Sequence, residues 1–308
     1  MIELVALSDG MREVVRLAER VAATDANVLI TGESGSGKDA LAAFIHSRSP
    51  RSDAALVKID CAALPSELLE AELFGYERGA FTGATDARPG RLEAANKGTL
   101  VLDEVAHLSV DAQAKLLRMI EEREFERLGG RKTIKVDARL MALTNVDLDD
   151  AVRRRAFRED LYYRLNVMRL HVPPLRERRE DTEKLVRSLL KTYAAKHGRH
   201  VTGIKADALA ILAAYDFPGN VRELANTIER AVIVAKENRL ATADLPEGLR
   251  ASVDAKQGKQ QRRTLAELES DYVRQTLDVA RGNKSEAARM LGISRKNLYE
   301  RLARDRKA

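Results

Sequence analysis

Ala26 to Thr31 (ANVLIT), followed at once by Gly32 to Asp39 (GESGSGKD), decides how this 308-residue chain folds. The first six residues read as a short buried strand. Beyond the glycines, Ala40, Leu41, Phe44 and Ile45 have the spacing of one helix face. Strand, glycine loop and helix in succession build a phosphate cradle. Gly32, Gly35 and Gly37 let backbone N–H groups wrap anionic oxygens, the helix N-terminus adds its dipole, and Lys38 reaches the terminal phosphates. Glu33, Ser34 and Ser36 complete the loop. The position after Lys38, where a hydroxyl ordinarily holds Mg²⁺, is Asp39. A carboxylate is also a hard oxygen ligand, so Asp39 is expected at the metal directly or through water.

Outward from the loop, strands are expected at Ala55 to Ile59, Thr99 to Leu102, Arg139 to Leu143 and Val167 to Val172, with helical stretches such as Asp111 to Glu122 between them. Alternation of this kind predicts an α/β fold with a mostly parallel sheet. The strand at Thr99 ends in Asp103 and Glu104, and at a sheet's C-terminal edge two adjacent acids can face the phosphate loop. Asp103 is expected to hold Mg²⁺ and Glu104 to polarise an attacking water. Loop and acids together point to ATP hydrolysis. After Pro173 and Pro174 the β-branched runs stop, and Asp181 to Lys196, Lys205 to Tyr215 and Asn220 to Ala235 have helical period. The expected organisation is therefore an ATPase subdomain over 1–174, a helical lid over 175–251, a polar linker over 252–263 and a third unit over 264–308.

Composition excludes other classes. No apolar run approaches the ~18 to 20 residues a membrane span needs, and the N-terminus carries acids where a signal peptide carries basic residues. One cysteine, Cys61, rules out an internal disulfide or a cysteine zinc cluster, and the five histidines lack ligand spacing, which fits the reducing cytoplasm. Cys61 is expected as a small buried apolar side chain. The net charge of +6 is uneven: residues 255–308 hold 14 basic against 7 acidic side chains, leaving the rest slightly acidic. A basic tail fits nucleic acid or a solvated helix surface, and charge alone does not choose.

Between the two phosphate-site motifs stands Glu72 to Ala84 (ELFGYERGAFTGA). This string resembles the signature of bacterial enhancer-binding proteins, the NtrC-type AAA+ activators of sigma-54 RNA polymerase, and the likeness runs from Ser8 to the C-terminus. In that family the sequence tips a loop that touches sigma-54, which implies the same for Gly79, Ala80, Phe81, Thr82, Gly83 and Ala84. Physically, Gly79 and Gly83 permit a mobile hairpin tip, and Phe81 and Thr82 offer an apolar and a hydroxyl contact. The resemblance further implies a second surface loop at Glu126 to Arg131, a sensor at Thr144 and Asn145, and a lid sensor at Arg222 within Phe217 to Leu224. Arg158 and Arg164 resemble two arginine fingers that act on a neighbouring subunit's nucleotide. A finger supplied in trans can be worth ~10³ to 10⁵ in turnover, so an oligomer is expected, a hexamer by family likeness. One position departs from the pattern. Family members commonly carry Asn before Cys-Ala-Ala-Leu to restrain the catalytic glutamate; here Asp60 stands there, and an acid would repel Glu104 rather than donate to it. Asp39 stands where the family usually carries Glu.

Leu265, Leu268, Tyr272, Val273, Thr276, Leu277 and Ala280 form an amphipathic pattern that Gly282 and Asn283 end. Two short helices follow, Ser285 to Leu291 and Arg295 to Leu302, around a glycine turn with Ser294 as N-cap. The unit resembles the Fis-type helix-turn-helix that ends many enhancer-binding proteins. Ala287, Ala288, Leu291, Ile293, Leu298 and Leu302 are its expected core. Ser294, Arg295, Lys296, Asn297 and Arg301 are its expected DNA-facing residues, each good base-edge pair being worth ~1 to 3 kcal/mol of discrimination. The expectation is an ATP-hydrolysing activator that binds upstream, enhancer-like DNA and remodels sigma-54 RNA polymerase. No sensory domain precedes the ATPase in this sequence, so control is expected from a partner protein in trans or from a receiver absent here. A different AAA+ remodelling machine, or a DNA-binding architectural protein with a vestigial ATPase, stand as the competing readings.

Overall fold

The computed structural model describes residues 4–251, 272, 273, 276, 277, 280 and 283–298. The chain divides at Arg250 into two units, and each is described by itself.

The first unit is built on five parallel strands in the order β2-β5-β8-β1-β9: β1 Val28–Thr31, β2 Leu56–Asp60, β5 Thr99–Asp103, β8 Arg139–Thr144 and β9 Met168–His171. Their apolar residues alternate between two cores, because successive side chains leave opposite faces of a strand. Leu29, Leu100, Leu102, Leu140 and Ala142 enter one core, and Val28, Ile30, Val101, Met141 and Leu143 the other. Burial on both faces explains why β1 reads as an unbroken apolar run rather than an alternation. Helices α1 (Asp9–Ala22) and α2 (Lys38–Ser47) bring Met11, Ala18, Leu41 and Ile45 to the second face. On the first face lie α3 (Ser66–Phe74), α4 (Arg91–Ala94), α5 (Val110–Glu122), α6 (Leu148–Arg153) and α7 (Glu159–Leu165). Arg139, fully buried at the start of β8, donates to the carbonyls of Val21, Ala22 and Ala26 at 2.8 to 3.3 Å, so a cation closes the C-terminal end of α1.

Three two-stranded pairs escape the sequence reading: β3 (Gly75–Tyr76) with β4 (Arg88–Pro89), β6 (Glu124–Glu126) with β7 (Thr133–Lys135), and β10 (Gly203–Ile204) with β11 (Arg239–Leu240). Two or three residues are too few to show a period. Helices α8 (Glu180–Lys196), α9 (Ala206–Ala214) and α10 (Asn220–Val234) gather a third core around Leu185, Leu189, Leu212, Leu224 and Ile228, to which Val5 near the N-terminus also belongs. No helix among the described residues is long and apolar enough to cross a membrane.

In the second unit, α11 (Lys284–Met290) begins at Lys284, one residue before the expected start. The shift has a simple cause: the Asn283 carboxamide accepts from the N–H groups of Ser285 and Glu286, so Asn283 opens this helix. Gly292 turns the chain at φ +66°, and the Ser294 hydroxyl accepts from the Asn297 N–H at 3.2 Å to start a helical turn at 295–298. Ala287, Ala288 and Leu298 are buried together with Val273 and Ala280, and Leu291 and Ile293 pack against them. Leu302, Arg301, the 252–263 linker and most of the expected helix before Ala280 lie outside the described residues.

Candidate active site

Strand order assembles the site. β8 lies between β5 and β1, so the C-terminal ends of these three strands set Glu104, Asn145 and the glycine loop side by side. Gly32, Gly35 and Gly37 all have left-handed φ (+149°, +72° and +106°). At two of them no side chain fits: an added Cβ would stand 2.6 Å from the Val172 carbonyl at Gly32 and 2.5 Å from the Gly219 carbonyl at Gly35. Lys38 is 6% exposed and folds over the loop, donating to the Gly32 and Glu33 carbonyls at 2.8 and 3.1 Å, with Glu104 Oε1 at 3.9 Å. Burial lowers its pKa, against the pull of Glu104, Asp103 and Asp39. A cavity of about 500 Å³ opens beside the loop, lined in part by Gly35, Asp39, Lys58, Arg222 and Ala225.

Glu104 sits at φ +52°, a strained backbone for a non-glycine residue, directly after β5. Its Oε2 accepts from the Asn145 N–H at 3.1 Å. Asp60, beside Asp103 in the strand register, turns its carboxylate to the Ala62 N–H at 2.9 Å and closes a local turn. Cys61 is buried, as expected. Burial, aided by Asp60, Asp103 and Glu104, pushes its thiol up to about 12, so it stays protonated and inert. Asp39 and Asp103 converge on one cation, the ammonium of Lys58, which lies 2.7 Å from Asp103 Oδ2 and also pairs with Asp39. Burial opposes that charge, but the bonds from Asp103 and Asp39 outweigh it and leave the Lys58 pKa raised. Two hard carboxylate donors aimed at a single positive centre fit a magnesium ion.

The lid seats its α10 end on the loop. Val221 N–H donates to the Gly35 carbonyl at 2.9 Å, and Arg222 Nη1 to Ser34 Oγ at 2.8 Å. Glu223 and Glu229 of the same helix are engaged by the Gly219 N–H and by Lys196 with His197. Glu33 turns to the lid rather than into the cradle: both its oxygens receive the Arg176 guanidinium, and Asn220 Nδ2 donates to it at 3.0 Å. Those bonds, Arg176 first, hold its carboxyl down at about 2. Asn220, buried at φ +54°, also donates to the Ser34 carbonyl and accepts from the Leu175 N–H. Ser36 is buried, and its carbonyl accepts from Arg178.

Arg158 and Arg164 do not join the site of their own chain. Arg158 pairs with Asp160 at 2.7 Å and Arg164 with Glu121 at 2.8 Å. The Arg158 N–H donates to the fully buried Gln113, whose carboxamide also ties the Leu108 and Ala156 carbonyls. At the hairpin, Gly79 N–H donates to the Ala84 carbonyl at 2.9 Å, Gly79 and Gly83 are left-handed (+83° and +105°), and nothing lies within 4 Å of either added Cβ. Phe81 is 42% exposed, with its ring edge-on to Tyr76 at 5.0 Å, so it stands outside the core. Ala80 and Thr82 flank it, Ala80 touching the second loop where a Cβ on Gly129 would come within 2.8 Å. Arg127 of that loop clasps Glu93 through two bonds and Glu77 through one. In the second unit, Ser294, Arg295, Lys296 and Asn297 are exposed together.

Residues 4–171 match the family model described as the sigma-54 interaction domain. The chain belongs to that family. Residues 176–262 of the same chain match the AAA+ ATPase lid domain, and residues 264–304 the Fis family of bacterial regulatory proteins. Relatives include the regulatory protein AtoC of Escherichia coli, 45% identical over 303 residues (96% of this chain, 66% of AtoC), and the transcriptional regulatory protein FlbD of Caulobacter vibrioides, 43% identical over 315 residues (97% and 69%). The crystal structure of NtrX from Brucella abortus in complex with ATP superposes with a TM-score of 0.73 at 33% identity, covering 98% of this chain and 69% of NtrX. This chain thus spans about two thirds of the length of such relatives. Sequence reasoning passed over Lys58, Asn220, Gln113 and Arg176 in this family member. Asn220 alone carried a signal, as an Asn after Gly at a helix start.

Proposed function

We propose that this chain is an ATP-driven transcription activator that binds upstream DNA through residues ~264–308 and works on sigma-54 RNA polymerase in the cytoplasm. The division into ATPase, lid, linker and DNA-binding segments near residues 174, 251 and 263 belongs to this reading. The loop from Gly32 to Asp39 binds the nucleotide phosphates, Lys38 leaving its carbonyl partners to reach them. Glu104 orients and polarises the attacking water, and Asn145 and Arg222 read the γ-phosphate from strand end and lid. Asp103 and Asp39 would hold Mg²⁺, which supplies charge neutralisation at the phosphate oxygens. Arg158 and Arg164 exchange Asp160 and Glu121 for the nucleotide of a neighbouring subunit in a homo-oligomer, a hexamer by likeness, so that turnover requires assembly. Ser294 to Asn297 and Arg301 face DNA.

The observation that carries this reading is the connection between β2 and β5. These neighbouring strands end at Asp60 and Asp103, and the single stretch joining them contains α3, the Gly79–Ala84 tip and α4. A movement at the strand ends therefore reaches the tip through one helix, and Arg127 ties the second loop to both sides of it. Hydrolysis would raise and retract the tip against sigma-54 and convert a closed promoter complex to an open one. The test is open-complex formation by sigma-54 holoenzyme on a dependent promoter, with ATP and with a nonhydrolysable analogue. Opening with ATP alone is expected. Robust ATPase without opening would favour another AAA+ substrate; absence of ATPase would leave a DNA-binding protein with a silent motor.

A further inference from the structure

Lys58 lies outside every motif, on the edge strand β2, two residues before the strand ends. Its side chain reaches over the C-terminal edge of the sheet to two carboxylates from different elements, Asp39 in the first turn of α2 and Asp103 at the end of β5. Among the described residues, the ion pairs of these carboxylates are made with Lys58. The other ammonium of the site, Lys38, is bonded to the Gly32 and Glu33 carbonyls and stands nearer Glu104. Three carboxylates thus face two ammonium groups, and each lysine has its own share. Lys58 differs from Lys38 in access: it is 43% exposed against 6%. A long, flexible stem at the solvent edge can swing away with little loss of packing.

We propose that Lys58 is a built-in counter-ion of Asp39 and Asp103 that competes with a divalent metal for these two carboxylates. The inference rests on the nucleotide reading given above and adds to it an order of events. Metal alone gains little from two carboxylates that already hold a cation. Nucleotide phosphates meet a cradle in which the charge of the two acids is half offset, and only with the phosphates' added charge does the divalent ion displace the ammonium. Lys58 is a positioning residue, acting through Asp39 and Asp103.

Two titrations of the full chain test this. In the first, Mn²⁺ alone is followed by electron paramagnetic resonance in the wild type, Lys58→Met and Lys58→Arg, with circular dichroism to check folding. Lys58→Met is expected to bind Mn²⁺ about tenfold tighter than wild type, and Lys58→Arg to stay within about threefold of it. In the second, ADP is titrated calorimetrically in EDTA and again in Mg²⁺. Lys58→Met is expected to lose about tenfold in affinity in EDTA, where two bare carboxylates repel the phosphates, and to recover in Mg²⁺. A purely structural role would weaken ADP equally in both buffers. Equal Mn²⁺ affinities for wild type and Lys58→Met, with ADP binding in Mg²⁺ intact, would overturn the proposal alone. Failure of wild type to bind ADP in Mg²⁺ would overturn the nucleotide reading and the proposal with it.

Discussion

The chain has two glycine-punctuated loops, and they use glycine for opposite reasons. In the phosphate loop, Gly32 and Gly35 are pressed against backbone: the Val172 and Gly219 carbonyls stand 2.6 and 2.5 Å from where a Cβ would be. In the hairpin, Gly79 and Gly83 have the same left-handed sense and open space around them. The first loop is fixed from inside, by a lid that seats on it and a lysine that folds over it. The second is constrained by its own turn, so its side chains are free to answer to a partner. Buried, multiply bonded loops report what the fold requires; exposed, lightly bonded ones report what the molecule touches.

Lys38→Ala should have the largest effect, because it removes the buried ammonium that folds over the loop and is placed to reach the phosphates. Calorimetric titration with ADP and Mg²⁺ should show no binding, and turnover should disappear, while Phe81 and Thr82 remain as exposed as before. Retained binding would move the phosphate seat away from Gly32 to Asp39. Thr82→Ala should do the converse. Steady-state turnover is expected within about twofold of wild type, with open-complex formation lost, since Thr82 touches nothing that shapes the cradle. An active Thr82→Ala protein in the promoter assay would remove the tip's assigned contact.

A matched glycine pair sharpens the contrast. Gly35→Ala places a methyl 2.5 Å from the Gly219 carbonyl and 2.9 Å from the Arg222 Cβ, at φ +72°. Strain and overlap together should cost about 2 to 3 kcal/mol in urea denaturation and unseat the lid. Gly83→Ala pays only for its φ of +105°, about 1 kcal/mol, and pays it within the tip. Equal costs at the two positions would mean that the lid does not hold the loop as tightly as the Val221 to Gly35 bond implies.

The same contrast governs what could be read from sequence. The central strands β1, β5 and β8 were legible because strands buried on both faces are unbroken apolar runs, whereas the edge strands β2 and β9 are partly exposed and mix apolar with polar residues. Gly32 to Lys38, Asp103 and Glu104 were legible because their chemistry is tied to fixed local spacing. Lys58 was not legible. Its partners are 19 and 45 residues away, and only the sheet order brings β2 beside β5. Asn220 and Arg176 act across 187 and 143 residues on Glu33, which in the sequence looked like a residue of the phosphate cradle. Asp60 was expected to repel Glu104; the Ala62 N–H engages it in a local turn, a choice set by backbone geometry that residue type alone does not specify. Thr82 and Phe81 were found through family likeness, since both stand outside the core and Phe81 meets only the edge-on ring of Tyr76 among the described aromatic contacts.

The smallest expected effect concerns the latch between the first loop and the lid. Arg176, then Asn220, hold the Glu33 carboxyl at about 2, against 4.5 for an ordinary glutamate. A carboxyl depressed on folding stabilises fully above its unfolded pKa and loses that contribution as pH falls from about 4.5 toward about 2. Glu33 and Arg176 are 42% and 40% exposed, so solvent screening reduces the contribution at pH 7 to about 1 kcal/mol or less. Glu33→Gln should therefore cost little at neutral pH in urea denaturation, and its stability should fall less steeply than that of wild type as the pH is lowered through this window. Parallel acid limbs for the two proteins would show that the charge adds nothing. The tightness of the first loop would then come from backbone fit and from the bonds that Lys38, Arg178, Asn220 and Arg222 make to it.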